Sequence, residues 1–255
     1  RAVKKCDMLI SGGGSLLQDV TSSKSLHYYL SIIRCAEFFH KKVFIYSQGI
    51  GPIDRPGNRR AAAAALKRAD GIVVRDERSA SLLEEIGIAR DKVVITADPV
   101  IRMKKPDGDV GAEILRKAGV SLDGRLTVGW AIRERDTDSR FVKELLRSIQ
   151  MMKDKYNAQS VLIPFHYEED GEVCRHIATQ LPDDTAVCLN EKYLSEDMLS
   201  IIGNMDLLVG VRLHSLIYAA IMGVPLIGIS YDPKCTAFLN SVGLDKLSTK
   251  ENFTA

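Results

Sequence analysis

In the second half of this 255-residue sequence, cationic and proton-carrying side chains recur directly after short apolar, β-branched runs. Arg133 and Arg135 follow the run 126–132, His166 follows 161–165, Arg212 and His214 follow 207–210, and Lys234 follows 226–230. An arginine fork meets a carboxylate or phosphate with two parallel hydrogen bonds, lysine adds a point charge, and histidine holds a transferable proton near neutral pH. One such residue alone would be a surface charge or a satisfied core histidine. Repeated at four strand ends, they predict a site for a small polyanion.

The first half offers backbone rather than charge at the equivalent places. Ser11-Gly12-Gly13-Gly14-Ser15-Leu16-Leu17-Gln18-Asp19 follows the run 8–11, and Gln48-Gly49-Ile50-Gly51-Pro52 follows 43–47. Glycines there let a ligand approach main-chain amides, and a glutamine amide both donates to and accepts from a hydroxyl. The first turn fails as a dinucleotide fingerprint, because the third glycine of G-x-G-x-x-G would fall at Leu17, and no Walker A pattern is present. Gly13, Gly14, Gln18, Gln48 and Gly49 are therefore read as the wall of a sugar-tolerant cleft, set against the plainer reading of tight strand-to-helix turns. Arg75 and Asp76, after the run 71–74, read as an ion pair fixing their loop. Asp136-Thr137-Asp138 has the D-x-D spelling of metal-dependent sugar transferases, but reads as a solvated loop that caps a helix beginning near Ser139. No metal ligand is assigned.

The elements that must position these residues follow from periodicity. Apolar runs at 8–11, 43–47, 71–74 and 93–96 alternate with segments of helical period at 25–39, 59–68 and 77–86, and strand runs at 126–132, 161–165, 186–189, 207–210 and 226–230 continue the alternation. This predicts an α/β protein of two doubly wound, Rossmann-like domains: 1–100, a linker at 101–123 around Lys104-Lys105-Pro106-Asp107-Gly108-Asp109, and 124–255. Parallel sheets of this kind bind ligands beyond the carboxyl ends of their strands, which is where the residues above fall.

Composition sets the outer bounds. Hydrophobic residues make up 45% and charged residues 27%, with 19 Gly and 8 Pro, a globular composition. The 35 Lys and Arg against 33 Asp and Glu give a formal charge of +2, too small for a general attraction to nucleic acid or lipid. Lys41, Lys42, Arg59 and Arg60 are weighed as a lipid-facing group and read as exposed charges. Five widely spaced cysteines without a C-x-x-C pair support neither a disulfide framework nor a zinc knuckle, so a cytoplasmic setting is expected. No apolar run approaches the roughly 18 residues that span a bilayer. The sequence starts without Met and reaches its first strand within a few residues, so an incomplete first domain is expected.

Taken together and in order, Gly12-Gly13-Gly14-Ser15-Leu16-Leu17-Gln18-Asp19, Gln48-Gly49-Ile50-Gly51-Pro52, Val74-Arg75-Asp76, Asp98-Pro99, Arg212-Leu213-His214-Ser215 and Ser230-Tyr231-Asp232-Pro233-Lys234 resemble the polysaccharide pyruvyl transferases, above all the bacterial enzymes that pyruvylate cell-wall polymers for surface-layer anchoring. The resemblance covers most of the chain. It implies a glycosyltransferase-B-like fold, with the active site between the domains. The family's opening strand and its glycine- and asparagine-containing loop, with an acidic residue tied to activity, have no counterpart before Arg1. The implied reaction moves pyruvate from phosphoenolpyruvate, the donor substrate, onto two hydroxyls of one sugar, forming a cyclic ketal and releasing phosphate without a cofactor.

By the same resemblance Arg212, His214 and Lys234 carry over as catalytic or donor-binding residues, and Arg133 as a carboxylate ligand. His166 joins the donor side on its position alone. The acceptor is placed against Gly13, Gly14, Gln18, Gln48 and Gly49 of the first domain, and family analogy suggests N-acetylmannosamine of a lipid-linked precursor, reached at the inner face of the plasma membrane. Two rivals remain. A nucleotide-sugar-dependent glycosyltransferase of the same fold would need a base pocket that the cationic strand ends do not provide. A non-catalytic sugar-phosphate binding protein would bind without releasing phosphate.

Overall fold

Each apolar run becomes a strand of a parallel sheet. The structure is a computed structural model that describes residues 2–20, 22–134, 137, 139–244 and 248–255. The chain divides into two units, Arg1–Ile101 and Arg102–Ala255. The first contains α1 (Ala2–Lys5), β1 (Met8–Gly12), α2 (Ser23–Phe38), β2 (Lys42–Gln48), α3 (Pro56–Leu66), β3 (Gly71–Val74), α4 (Glu77–Glu85) and β4 (Val93–Ile95). The second contains α5 (Val110–Lys117), β5 (Thr127–Ala131), α6 (Arg140–Tyr156), β6 (Gln159–Leu162), α7 (Tyr167–Gln180), β7 (Ala186–Cys188), α8 (Ser195–Gly203), β8 (Leu207–Gly210), α9 (Leu213–Met222), β9 (Leu226–Ser230), α10 (Pro233–Ser241) and β10 (Ser248–Thr249).

In the first unit the strands lie in the order β1-β2-β3-β4. Right-handed crossovers taken in one direction place the connecting helices on one face. Leu26, Leu30 and Ile33 of α2, Ala62 and Ala65 of α3 and Leu83 of α4 accordingly form one core with Val43, Ile45, Ile72 and Val74 of the sheet. Met8, Ile10, Tyr46 and Val94 on these strands stay exposed. The winding in two directions expected of both domains is seen in the second unit, whose order is β10-β9-β8-β5-β6-β7. There β5 pairs with both β6 and β8, so the strand order reverses between β5 and β8.

Differences from the sequence reading have local causes. β6 starts at Gln159, two residues before the expected run, because two polar side chains are satisfied inside. Gln159 accepts from the Ser121 N–H through Oε1 at 2.9 Å, and Ser160 Oγ accepts from Trp130 Nε1–H at 2.9 Å. Residues 102–123, read as a linker, fall in the second unit, and their helix α5 packs on α8. At that crossing Gly111 donates its N–H to Ser200 Oγ at 2.8 Å, and a Cβ at 111 would stand 2.3 Å from the Ser200 carbonyl carbon and oxygen.

Gly111→Ala is therefore expected to destabilise the protein by about 1–3 kcal/mol through overpacking, although Ala normally stabilises a helix interior by about 0.5–1 kcal/mol over Gly. Urea unfolding followed by the fluorescence of Trp130, the single tryptophan and only 3% exposed, measures it. A gain in stability would show that α5 and α8 do not meet this closely.

Candidate active site

In the second unit the reversal between β5 and β8 opens the crevice where doubly wound sheets bind ligands, and Arg133 and Arg212 stand just beyond these two strands. The Arg133 guanidinium lies over the Tyr231 ring, 4.8 Å from its centroid, joining the loops after β5 and β9. Lys250 braces the same loop, donating to the Arg133 carbonyl at 3.3 Å and to Glu134 Oε2 at 2.6 Å. Burial pushes the Tyr231 phenol above its ordinary range, against the pull of Arg133.

Arg212 immediately precedes α9 and turns its side chain towards the first turn of α7. Nε donates to Asp170 Oδ2 at 3.1 Å, and Nη2 to Asp170 Oδ1 at 2.5 Å and to Glu169 Oε2 at 3.1 Å. Asp170 is 1% exposed and also accepts the His166 N–H at 2.9 Å, so one buried carboxylate fixes both the start of α7 and the arginine fork. Burial opposes the arginine's charge, but Asp170 and Glu169 outweigh it and hold the guanidinium more firmly protonated. Two of the three guanidinium nitrogens of Arg212, read from the sequence as a donor-binding residue, thus face protein carboxylates. The strand ends are likewise not purely cationic, because Glu168, Glu169 and Asp170 occupy the first turn of α7, where a helix favours negative charge.

His214 is exposed on the first turn of α9, and Ser215 Oγ closes that turn by donating to the Arg212 carbonyl at 2.6 Å. Lys234 opens α10, where the Asp232 side chain accepts its N–H at 3.0 Å, and its Nζ lies 3.3 Å from Asp232 Oδ2. The His166 ring is half-exposed, with Nδ1 3.8 Å from Glu168 Oε2. Arg135, Asp136 and Asp138 lie outside the described residues. The cap of α6 is Ser139 itself, which accepts the Val142 N–H at 3.2 Å.

The first unit's two glycine loops are laced together. Gly13 donates to the Tyr46 carbonyl at 3.2 Å, Gly49 to that of Gly14 at 2.9 Å and Gly51 to that of Leu17 at 2.8 Å. Gly13 and Gly14 have φ of +76° and +60°, with open space where a Cβ would point, so both the conformation and the clear approach are present. Gln18 is half-buried beside them.

Gln48 corrects the sequence reading. It is fully buried and its Nε2 donates to Ser11 Oγ at 2.9 Å, which ties the ends of β1 and β2 and keeps the amide from a ligand. Gly49 is small for Arg75 rather than for a sugar, because a Cβ there would lie 2.7 Å from the Arg75 Nη2. Arg75, with its side chain 6% exposed, pairs with Asp98 at 2.7 Å more closely than with Asp76 at 3.7 Å, and donates to Ser15 Oγ at 2.9 Å. Asp19 ends the glycine motif by accepting from the Asp54 and Arg55 N–H groups and from Asn58 Nδ2, which anchors the start of α3.

Asp170, Glu169 and Lys250 escaped the sequence reading. For Asp170 the local signal is its place four residues after His166, on the first turn of α7, where it accepts the His166 N–H. Among the described residues no group of three His, Cys, Asp or Glu side chains could hold a metal ion, and no helix is long and apolar enough to cross a membrane.

The amylovoran biosynthesis protein AmsJ of Erwinia amylovora is 21% identical over 263 residues, covering 97% of this chain and 62% of that protein, so the chain spans less than two thirds of this relative's length. Among solved structures, the UDP-GlcNAc 2-epimerase of Methanocaldococcus jannaschii superposes with a TM-score of 0.68 at 14% identity, over 98% of this chain and 69% of its own. The Neisseria meningitidis enzyme of that name, bound to UDP-GlcNAc, gives 0.59 at 17% identity, over 97% and 66%. At such identities these likenesses establish the fold, α/β and glycosyltransferase-B-like. A family model described as polysaccharide pyruvyl transferase matches residues 1–233, and the chain belongs to that family of transferases.

Proposed function

We propose that the protein transfers pyruvate from phosphoenolpyruvate to two hydroxyls of a sugar in a polysaccharide precursor, releasing phosphate. The observation that carries this reading is the convergence of Arg133, Arg212, His214 and Lys234 on the carboxyl ends of β5, β8 and β9, around the reversal of the sheet. Phosphoenolpyruvate has a carboxylate and a phosphate on three carbons, which suits cations at short separation. AmsJ, named for amylovoran biosynthesis, supports a polysaccharide acceptor.

In this mechanism His214 gives a proton to the methylene carbon of the donor, and the first sugar hydroxyl adds to the neighbouring carbon with loss of its own proton. Phosphate then leaves with the electrons of the C–O bond, and Arg212 and Lys234 stabilise its charge. The second hydroxyl closes on the resulting oxocarbenium carbon and releases its proton, giving the cyclic ketal. Arg133 holds the carboxylate, its guanidinium positioned over the Tyr231 ring. The acceptor lies against Gly13, Gly14 and Gln18. We further propose N-acetylmannosamine of a lipid-linked cell-wall polymer used in surface-layer anchoring as acceptor, and action at the cytoplasmic face of the membrane.

The test is phosphate release from phosphoenolpyruvate with lipid-linked or synthetic saccharide acceptors, on the chain with any native flanking sequence. Release that requires both substrates supports the proposal. Binding without release points to a sugar-phosphate binding protein, and heat protection by nucleotide sugars but not by phosphoenolpyruvate points to a glycosyltransferase. Either result overturns it.

A further inference from the structure

The amino ends of the first unit's strands, at the edge opposite the glycine loops, are unlike the rest of the surface. Lys4 and Lys5 precede β1, Lys41 and Lys42 open β2, and Lys67 and Arg68 precede β3. Because the three strands are parallel and adjacent, these cations share one edge. Cations there complement the carbonyl ends of α1, α2 and α3, and that alone would be a local reason for them.

Two aromatic side chains make the edge different. Phe38, at the last turn of α2, is 76% exposed, more than any other large apolar side chain among the described residues. It packs edge-on against Phe39 with 5.2 Å between centroids, and Lys4 Nζ lies 5.9 Å above the Phe39 ring. Arg34, His40 and Arg68 line a groove with Phe38, and Glu37 is the one carboxylate in that lining. Of the four basic residues singled out in the sequence, Arg59 donates to the Ile53 carbonyl at 2.7 Å and to Glu85 at 3.2 Å, and Lys42 pairs with Asp70 of the same edge at 2.8 Å, so the structure moves the basic centre towards α2.

We infer that this edge docks the protein on an anionic lipid bilayer, with Phe38 entering the headgroup layer and Arg34, Lys41, Lys67 and Arg68 facing the lipid charges. Aromatic rings are enriched at the headgroup level, and basic residues are drawn to the negative surface potential of an anionic leaflet. Nucleic acid fits less well, since Phe38 is the one exposed phenyl ring in the lining of the groove, whereas a single strand needs a succession of rings on which bases stack. The inference deepens the proposed action at the membrane face without resting on the donor or acceptor chemistry, and its test uses no substrate, so either can fail without the other.

Sedimentation of the chain with sucrose-loaded vesicles gives the readout. Binding is expected on phosphatidylcholine vesicles containing phosphatidylglycerol, weakening steeply as NaCl rises from about 0.1 M to about 0.5 M. Arg34→Glu with Arg68→Glu is expected to reduce partition at least tenfold. Phe38→Ser, at an exposed position, is expected to reduce it several-fold with the salt dependence kept and the circular dichroism unchanged. The inference is overturned by absence of binding to anionic vesicles, by variants that bind like the parent, or by a short RNA bound at the same protein concentrations. Equal partition onto neutral vesicles also overturns it.

Discussion

His214→Ala is expected to lower phosphate release by about 10²–10⁴-fold while phosphoenolpyruvate still binds, because the range is that of a positioned general acid and the donor's charges meet other residues. The ring is exposed on the first turn of α9, so the substitution removes no core packing. Single-turnover phosphate release, paired with calorimetric donor titration, separates the two effects. Full turnover in the variant would remove the acid role, and loss of binding with normal turnover at saturation would make His214 a donor ligand instead.

Arg212→Ala is expected to act twice. It strands the Asp170 carboxylate, 1% exposed, and breaking a buried pair in this way costs about 3–5 kcal/mol in urea unfolding. It also weakens phosphoenolpyruvate binding by about ten- to a hundredfold, as loss of a charge-assisted contact worth about 1.5–3 kcal/mol implies. The double variant Arg212→Ala/Asp170→Ala is expected to recover part of the stability, since neither charge is then left unpaired, but none of the binding. Additive stability losses would show that the two residues are not coupled. Unchanged donor affinity in Arg212→Ala would confine the residue to holding the α7 and α9 starts together. Arg212→Lys is expected to rescue little, because a point charge cannot reproduce the two-pronged contact with Asp170.

Much of the candidate site is legible in the order of residues because a parallel sheet sends the residue after each strand to one edge. Lys234 after β9 and Arg212 after β8 need no more than strand periodicity to be placed there. The partners of those residues are another matter. Arg212 and Asp170 are 42 residues apart, and Asp170 sits in a run, Glu168-Glu169-Asp170, that reads as an ordinary acidic helix start. Gln48 shows the opposite error. Its type suggests a hydroxyl ligand, yet the pairing of Gly12 with Tyr46 in the β1–β2 ladder brings Ser11 to its amide and closes water out.

By itself the sequence determined the alternation of strand and helix, the strand ends at which chemistry collects, and the family motifs, all of which depend on residues near each other in the chain. Only the tertiary structure decided the strand order that puts β5 beside β8, the occupation of the Arg212 fork by Asp170 and Glu169, and the stacking of Arg133 on Tyr231. Those depend on burial and on pairings between distant segments, which a local pattern of residue types does not encode.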